Sequence, residues 1–441
     1  MKLILNEDIN HIMNVFASSG FEVFLVGGCV RDMIMGLEPH DFDFTTNARP
    51  EQVHDVFREY KIIDTGIKHG TVTLVYNGET YEITTYRKET EYDDHRHPSS
   101  ITYSDNVYED LIRRDFTVNA MAYNPESGLI DYFDGLKDIE NRIIRCVGNP
   151  DERFNEDALR ILRAIRFATR FDFTIETATE NALINNRDLL KYISLERITS
   201  EFNEIICSDK AAEYIDRYRD VIAVFMPEIK IMFDFDQNSR YHCYDLWKHS
   251  LLTLQTVKST VTSRWAALLH DIGKPDVRTT GKDGRYHYVG HPVRSEEIAL
   301  KILRRMHFDK KTLKYTCDLI RNHDYDFNSD GKIKLVISEY GHSFYQDLID
   351  LKRADNMAHH PDFVNERSYY DMLAEKGSEF RDNILHMSDM KINGDDIRSV
   401  GITGPAIGKA LYRAYKKVLE GTVKNDHDIL INYVKSLNLK K

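Results

Sequence analysis

From Asn6 to Ser19, apolar and polar residues alternate at helical spacing, which predicts an amphipathic helix. Phe21 to Val26 is a short apolar run and predicts the first strand. Val30 to Met35 suits a helix turn packed beneath Gly27-Gly28, and Phe42-Asp43-Phe44-Thr45 predicts a second strand. Lys61-Ile62-Ile63 and Thr71 to Tyr76 continue the β pattern. Thr80 to Thr85 alternates polar and apolar, and Asn77-Gly78 before it is a hairpin signal. One α/β unit of about 140 residues results. From Glu156 almost to the end the pattern is helical with few β-rich runs. No low-complexity tract and no internal repeat is evident.

At 441 residues the chain is too long for one ordinary core, so three or four domains are expected. Hydrophobic content of 42% with 29% charged residues is ordinary for a globular protein. The net charge of −12 argues against coating nucleic acid by bulk attraction. A local basic face on an acidic molecule still binds RNA, and such binding weakens as salt rises. Cys29, Cys146, Cys207, Cys243 and Cys317 are scattered without C-x-x-C spacing, as expected of free thiols in a reducing compartment. No apolar run approaches the ~18 residues that span a membrane, so no membrane partner is expected. Met1 to Asn10 lacks a signal-like apolar core, and a cytoplasmic location is expected.

The densest chemistry lies near the N-terminus. Asp41 and Asp43 flank Phe42, and residues two apart on a strand project from one face, roughly 7 Å apart at Cα. Two carboxylates so placed can converge on a pair of divalent cations, which clamp the attacking and leaving oxygens of a phosphoryl transfer. Gly27-Gly28 removes side chains where backbone must approach a triphosphate, and Arg31 would add a charged donor. Taken singly, a D-x-D is more often a turn, and the glycine pair is no Walker loop because no Gly-Lys-Ser/Thr follows. Taken in order, Leu25-Val26-Gly27-Gly28-Cys29-Val30-Arg31-Asp32 followed by Asp41-Phe42-Asp43 resembles the signature of class II tRNA nucleotidyltransferases and bacterial poly(A) polymerases.

A second motif of that family, Arg113-Arg114-Asp115-Phe116-Thr117-Val118-Asn119-Ala120-Met121-Ala122, is also similar. An arginine can bridge phosphate oxygens, and an asparagine amide can read a ribose hydroxyl. The resemblance implies nucleotide binding by Arg114 and suggests Asn119 for the sugar. Glu82, on a strand of the same unit, is a candidate third carboxylate or an exposed strand residue.

Glu156 to Phe167 predicts a helix with Leu159, Leu162 and Ile165 between charged positions. A spacing of three drifts by about 60° per step, so Asp157, Arg160 and Arg163 share roughly 120° of one face, with Arg166 at its edge. A salt-bridged solvent face explains such a pattern equally simply. Hydrogen-bond logic offers a sharper use. Cytosine and adenine present an amine donor beside a ring-nitrogen acceptor, whereas guanine and uracil present a carbonyl beside an N–H. A carboxylate next to a guanidinium complements the first pair and opposes the second. Asp157 with Arg163 can thus accept CTP and ATP and reject GTP and UTP without a nucleic-acid template. Mismatches leave buried polar groups unpaired, at about 1–3 kcal/mol each. The family's E-D-x-x-R-x-x-R motif implies nucleotide contacts for Asp157, Arg160, Arg163 and Arg166. By the same resemblance, polar Tyr86 to Glu109, with Tyr92-Asp93-Asp94-His95-Arg96-His97-Pro98, is the loop needed for the final adenosine. His97 stands there in place of a usual arginine.

Residues 240–360 hold a second constellation: His249, His270-Asp271, His291, His323 and Asp355. Imidazoles and carboxylates spread over several helices are suitable ligands for a divalent ion. His270-Asp271-Ile272-Gly273-Lys274 resembles the HD phosphohydrolase signature, with His249 and Asp355 completing the set and His291 and His323 matching the two-metal members. That resemblance implies Mn, Ni, Co or Fe at the site and hydrolysis of cyclic 2′,3′-phosphates or phosphomonoesters on damaged RNA ends. Ile402 to Leu411, followed by Arg413, Lys416 and Lys417, resembles the family's tail, where a glycine-rich helix start either holds phosphate or simply caps the helix.

The resemblance covers nearly the whole chain. It implies an α/β nucleotidyltransferase head of polymerase-β-like fold (1–145) and an all-α neck that selects the nucleotide (146–235). An HD metal-dependent domain (236–365) and a helical tRNA-binding tail (366–441) follow. The implied activity is template-independent addition of CCA to tRNA from CTP and ATP. In that scheme Asp41 and Asp43 hold Mg²⁺, while Gly28, Arg31 and Arg114 bind the nucleotide. Three alternatives stay open: an enzyme adding only adenosine or a poly(A) polymerase, an HD phosphohydrolase with an RNA-holding head, and a non-catalytic RNA-binding protein. The oligomeric state is not in the sequence.

Overall fold

Val23–Val26 is apolar at every position, and as strand β1 it is buried throughout, as a run without alternation should be. The computed structural model describes residues 2–89, 101–364, 367–381 and 384–437. The chain divides into two compact units, Met1–Pro227 and Glu228–Lys441. In the first, β1 is followed by β2 (Asp43–Thr46), β3 (Lys61–Ile63), β4 (Thr71–Tyr76) and β5 (Glu79–Thr85). After a short ribbon of β6 (Arg87–Glu89) and β7 (Ile101–Tyr103) come β8 (Met121–Asn124) and β9 (Gly128–Asp131). Seven of these form one sheet in the order β3-β4-β5-β2-β1-β8-β9. Among the described residues of that sheet only the β2–β5 pair is parallel, with Asp43 in register with Glu82.

Successive β1 side chains feed two cores. Val23 and Leu25 join the side covered by the helix Glu7–Ser18, while Phe24 and Val26 join Tyr86, Val107 and Leu111. The predicted N-terminal helix starts where Asn6 caps it, its side chain accepting from the Ile9 N–H at 2.9 Å. Its stripe of Ile9, Ile12, Met13 and Phe16 is buried on the sheet. Asn77 and Gly78 take φ of 50° and 87°, the left-handed pair that a tight hairpin between β4 and β5 demands. The aspartate strand is shifted by one from expectation, so Asp41 precedes β2 and only Asp43 lies on it. The stretch Tyr92–Pro98 lies outside the described residues.

The neck corrects the prediction of one unbroken helix. Helix Pro150–Glu156 ends at Asp157, which is extended at φ −140° and ψ 102°, and a new helix, Leu159–Phe171, begins after Ala158. Asp157, Arg160 and Arg163 therefore do not share one helical face.

The second unit is helical apart from a small ribbon, Thr279–Thr280 with Tyr286–His287. Helices Leu246–Thr256, Val261–Leu269, His291–Arg305, Lys310–Asn322 and His342–Met357 pack on one another. A separate core of Ile397, Ile402, Ala410, Ala414, Leu430 and Val434 holds the C-terminal helices together. The helix Pro405–Leu419 starts at Gly404, whose φ of 60° favours glycine. All five cysteines are free, and among the described residues no helix is long and apolar enough to cross a membrane.

Candidate active sites

β1 runs straight into Gly27, which turns at φ 79° and ψ −131° so that Gly28 can open the helix Gly28–Ile34. A Cβ on Gly27 would sit 2.9 Å from Nη1 of Arg114, so the bare backbone is what lets that guanidinium approach. β2 lies antiparallel beside β1, so Asp43 starts its strand near the end from which Gly27 leaves. Burial pushes the Asp43 carboxyl upward; Arg114 opposes this, while Glu82 and Asp41 add to it. A carboxylate crowded by two others is the electrostatic setting that a divalent cation relieves. Among the described residues, however, the groups of three or more ligand atoms within 4.8 Å of one another all lie in the second unit. The head carboxylates are neighbours rather than a closed cage.

Arg114 is braced from behind by Asp110, which is fully buried and also accepts from Arg113. Burial would raise Asp110, but the two arginines outweigh it and hold it low.

Arg31 lies on the helix that follows the glycine turn. It is 3% exposed, donating to Asp32 at 2.8 Å and to Oδ1 of Asn119 at 2.5 Å. The Asn119 amide in turn donates to Asp115 at 3.0 Å, and Nε of Arg163 donates to the other Asp115 oxygen at 2.8 Å. A continuous hydrogen-bonded chain therefore runs from the glycine turn to the neck. Arg31 and Asn119 are both links in it.

The neck residues expected to select the nucleotide have partners of their own. Asp157 accepts from Arg197 at 2.8 and 3.3 Å, and one of its oxygens caps the N–H of Leu159 at 3.1 Å. Arg163 pairs with Asp115, and Arg166 pairs with Glu201 at 3.0 Å. Asp157 and Arg163 are not bonded, yet Asp157 is close enough to help raise the Arg163 guanidinium against burial, after Asp115 and Glu201. Arg160 is buried, bonded to Glu156 at 2.6 Å and to the Arg113 carbonyl at 2.9 Å, and thereby ties the neck to the second motif. The ring of Phe167 lies beneath three guanidiniums, those of Arg31, Arg163 and Arg166, at 5.0, 5.3 and 4.6 Å. Asp110, Arg197, Glu201 and Phe167 were not singled out from the sequence, and Asp115 appeared there only as a letter of the second motif.

In the second unit the six expected ligands do converge. His249, His270, Asp271 and Asp355 form one group, and Asp271, His291 and His323 form another. Asp271 joins them: Oδ2 lies 3.2 Å from His270 and 3.4 Å from His249, while Oδ1 lies 3.2 Å from His291 and 3.5 Å from His323. Each Nδ1 faces a backbone carbonyl, at Ala358, Ala267, Tyr288 and Ile320 for His249, His270, His291 and His323. A carbonyl only accepts, so each Nδ1 donates to it and each Nε2 turns inward, able to offer its lone pair to a metal once deprotonated. These Nε2 atoms face each other at 3.3 Å in the first group and 3.1 Å in the second. Ligands each about 2.1 Å from an ion at ordinary coordination angles stand roughly 3.0–3.4 Å apart. Oδ1 of Asp271 is buried without a hydrogen-bond donor. The residues would suit divalent metal, with Asp271 common to both groups. Lys274 adds an ammonium 2.6 Å from Asp271, and His359 stands 3.5 Å from Asp355, neither of them a predicted ligand. A cavity of about 470 Å³ opens onto the cluster.

Residues 23–145 match the family described as Poly A polymerase head domain, and residues 242–359 match the HD domain. Between them, residues 172–232 match the "Probable RNA and SrmB- binding site of polymerase A". A polymerase-A head followed by an HD domain defines the class. A CCA-adding enzyme of Staphylococcus saprophyticus is 31% identical over 439 residues, 98% of each chain. One from Lactobacillus helveticus is 50% identical over 191 residues, 43% of this chain and 47% of that protein. The chain thus spans about half the length of the first curated relatives it matches. The crystal structure of the Bacillus stearothermophilus CCA-adding enzyme in complex with CTP resembles this one with a TM-score of 0.73 at 25% identity, over 98% of both chains. This chain belongs to the family of CCA-adding enzymes.

Proposed function

We propose that this chain completes the 3′-terminal CCA of tRNA from CTP and ATP without a nucleic-acid template, releasing pyrophosphate. The observation that carries this is the single buried chain of hydrogen bonds, Asp32–Arg31–Asn119–Asp115–Arg163, which fixes the glycine turn and the base-selecting neck in one register. In each cycle the tRNA 3′-oxygen forms a bond to the α-phosphorus of the nucleotide, and the bond from that phosphorus to the β-phosphate oxygen breaks. Mg²⁺ held by Asp41 and Asp43 would supply charge stabilisation for both oxygens, with Glu82 as the neighbouring third carboxylate. The bare turn at Gly27 and Gly28 admits the triphosphate, and Arg114, held by Asp110, binds its oxygens. Arg31 positions Asn119 and stands beside Gly28 as a further nucleotide contact. Asp157, held by Arg197, accepts from the amine of cytosine or adenine, and Arg163 donates to the ring nitrogen. Arg160 and Arg166 hold this wall in place.

The working division is head 1–145, neck 146–235, HD domain 236–365 and tail 366–441. The HD cluster would take divalent metal, whose chemistry is to turn water into a nucleophile toward a phosphoester at neutral pH. The four Nδ1–carbonyl bonds and Lys274 orient that site.

The test is gel analysis of labelled tRNA lacking CCA, with each nucleotide separately and then in pairs. Two cytidines from CTP alone and a third nucleotide only when ATP is added are expected. Extension by ATP alone on that substrate overturns the reading in favour of an adenosine-adding enzyme. Asp157→Ala is expected to relax base choice more than it weakens triphosphate binding; retained C/A selectivity removes the protein-template role.

A further inference from the structure

Against two tyrosines that line the HD cavity, Tyr241 and Tyr286, lie two guanidiniums that rest on rings instead of pairing with acids. Arg240 lies 4.6 Å from the Tyr241 ring centre and 5.8 Å from that of Phe363, and its Nη2 donates to the Tyr241 hydroxyl. Arg278 lies 4.8 Å from Tyr286 and 5.6 Å from Phe235. Among the described residues neither arginine has a carboxylate partner, in a chain with 71 acidic and 59 basic residues. Tyr241 and Tyr286 both line the cavity that holds Asp271, His291 and Asp355. Tyr241 is 41% exposed and Phe363 37% exposed, with their rings 5.0 Å apart at 70°. The Tyr241 carbonyl accepts from the His360 N–H at 2.7 Å, which fastens this platform beside the end of the helix carrying Asp355.

Exposed aromatic rings with stacked arginines at a phosphoester site narrow the class of occupant. A guanidinium laid on a ring keeps its in-plane N–H groups free for phosphate, and the ring is held ready for another flat π system. A phosphorylated protein side chain or a sugar phosphate offers the phosphate but no flat face. A nucleotide offers both, and base stacking on aromatic side chains tolerates any base. A cavity of about 470 Å³ has room for one small ligand and none for a duplex.

We propose that Tyr241, Phe363 and Arg240 seat the terminal nucleoside of a single-stranded RNA end, so that its phosphate ester reaches the HD cluster. This rests on the reading of that cluster as a metal-dependent phosphohydrolase. The step adds one water across one P–O bond of the ester: the water oxygen joins phosphorus, and the released sugar oxygen takes a proton.

The experiment uses the full chain loaded with Mn²⁺, and compares adenosine 2′,3′-cyclic phosphate with methyl riboside 2,3-cyclic phosphate, the same ester without a base. The expected KM is about tenfold lower for the nucleotide. In Tyr241→Ala that ratio falls toward one through KM, with kcat for the nucleotide kept, and Tyr241→Phe restores it. Arg240→Ala is expected to raise KM for both esters several-fold. Equal KM values for the two esters in the unaltered protein, or a Tyr241→Ala effect that is the same on both, overturns the seat. If neither ester is hydrolysed while CCA addition proceeds, the phosphohydrolase reading fails. The seat is then judged by calorimetric binding of adenosine 2′-phosphate with CTP saturating the other site. Weaker binding to Tyr241→Ala supports the seat, and unchanged binding overturns it.

Discussion

Asp115 is 8% exposed and touches two groups that the chain needs in fixed positions, Asn119 and Arg163. Burial by itself would raise its carboxyl, but Arg163, the Asn119 amide and Arg160 outweigh that and hold it at about 2. A folded value below the unfolded 3.8 stabilises the fold fully above about pH 4, and that contribution disappears as pH falls through about 2. The linkage is worth roughly 2 kcal/mol. Asp115→Asn is therefore expected to lower stability by about 2–4 kcal/mol at neutral pH, because Arg163 loses a buried partner. The gap between variant and parent should narrow between pH 4 and pH 3; urea unfolding at a series of pH values measures it, and a constant gap contradicts it. Arg197 acts on a different group. Its removal frees the Asp157 carboxylate, and Arg197→Ala is expected to raise misincorporation of UTP and GTP while leaving triphosphate affinity within a few-fold, read by single-nucleotide extension.

The turn between β1 and its following helix is the most constrained short element in the first unit. Gly27→Ala forces a Cβ into a left-handed backbone and against Arg114, at a cost of about 1–3 kcal/mol. Nucleotide KM is expected to rise at least tenfold, with HD-site hydrolysis unchanged, and steady-state kinetics on both reactions checks this. Elements such as this turn and the Asn77-Gly78 hairpin were readable because each depends on residue types with few substitutes. β8 and β9 escaped notice, since four residues apiece give too little alternation to separate a strand from the motif that β8 begins inside. The break at Asp157 had no glycine or proline to announce it. It is set by tertiary bonds to Arg197 and the Leu159 N–H that no local window contains. The six clustered histidines and aspartates of the HD domain were legible together because metal chemistry restricts the residue types, whereas Arg197 and Glu201 look like any helix surface charge. Arg31 reads as a ligand contact because it is a charge in a binding motif, whereas its bond to Asn119, 88 residues away, has no local signal.

At the scale of the whole molecule, the two candidate sites lie in separate compact units, and the clustered metal-ligand groups among the described residues belong to the second. His270→Ala removes an imidazole from the HD cluster and is expected to cut phosphoester hydrolysis at least a hundredfold while CCA addition stays within about twofold. Stripping all metal and returning only Mg²⁺ should revive nucleotide addition far more completely than hydrolysis, because nitrogen-rich ligand sets favour softer ions. Parallel assays on one preparation test both statements, and joint loss of the two activities in His270→Ala contradicts them. Phe167 works the other way within the first unit, since its single ring sits under cations from the glycine turn and from the neck at once. A lineage that replaced this aromatic would alter its grip on the substrate and its alphabet in the same generation. The two traits are inherited as one.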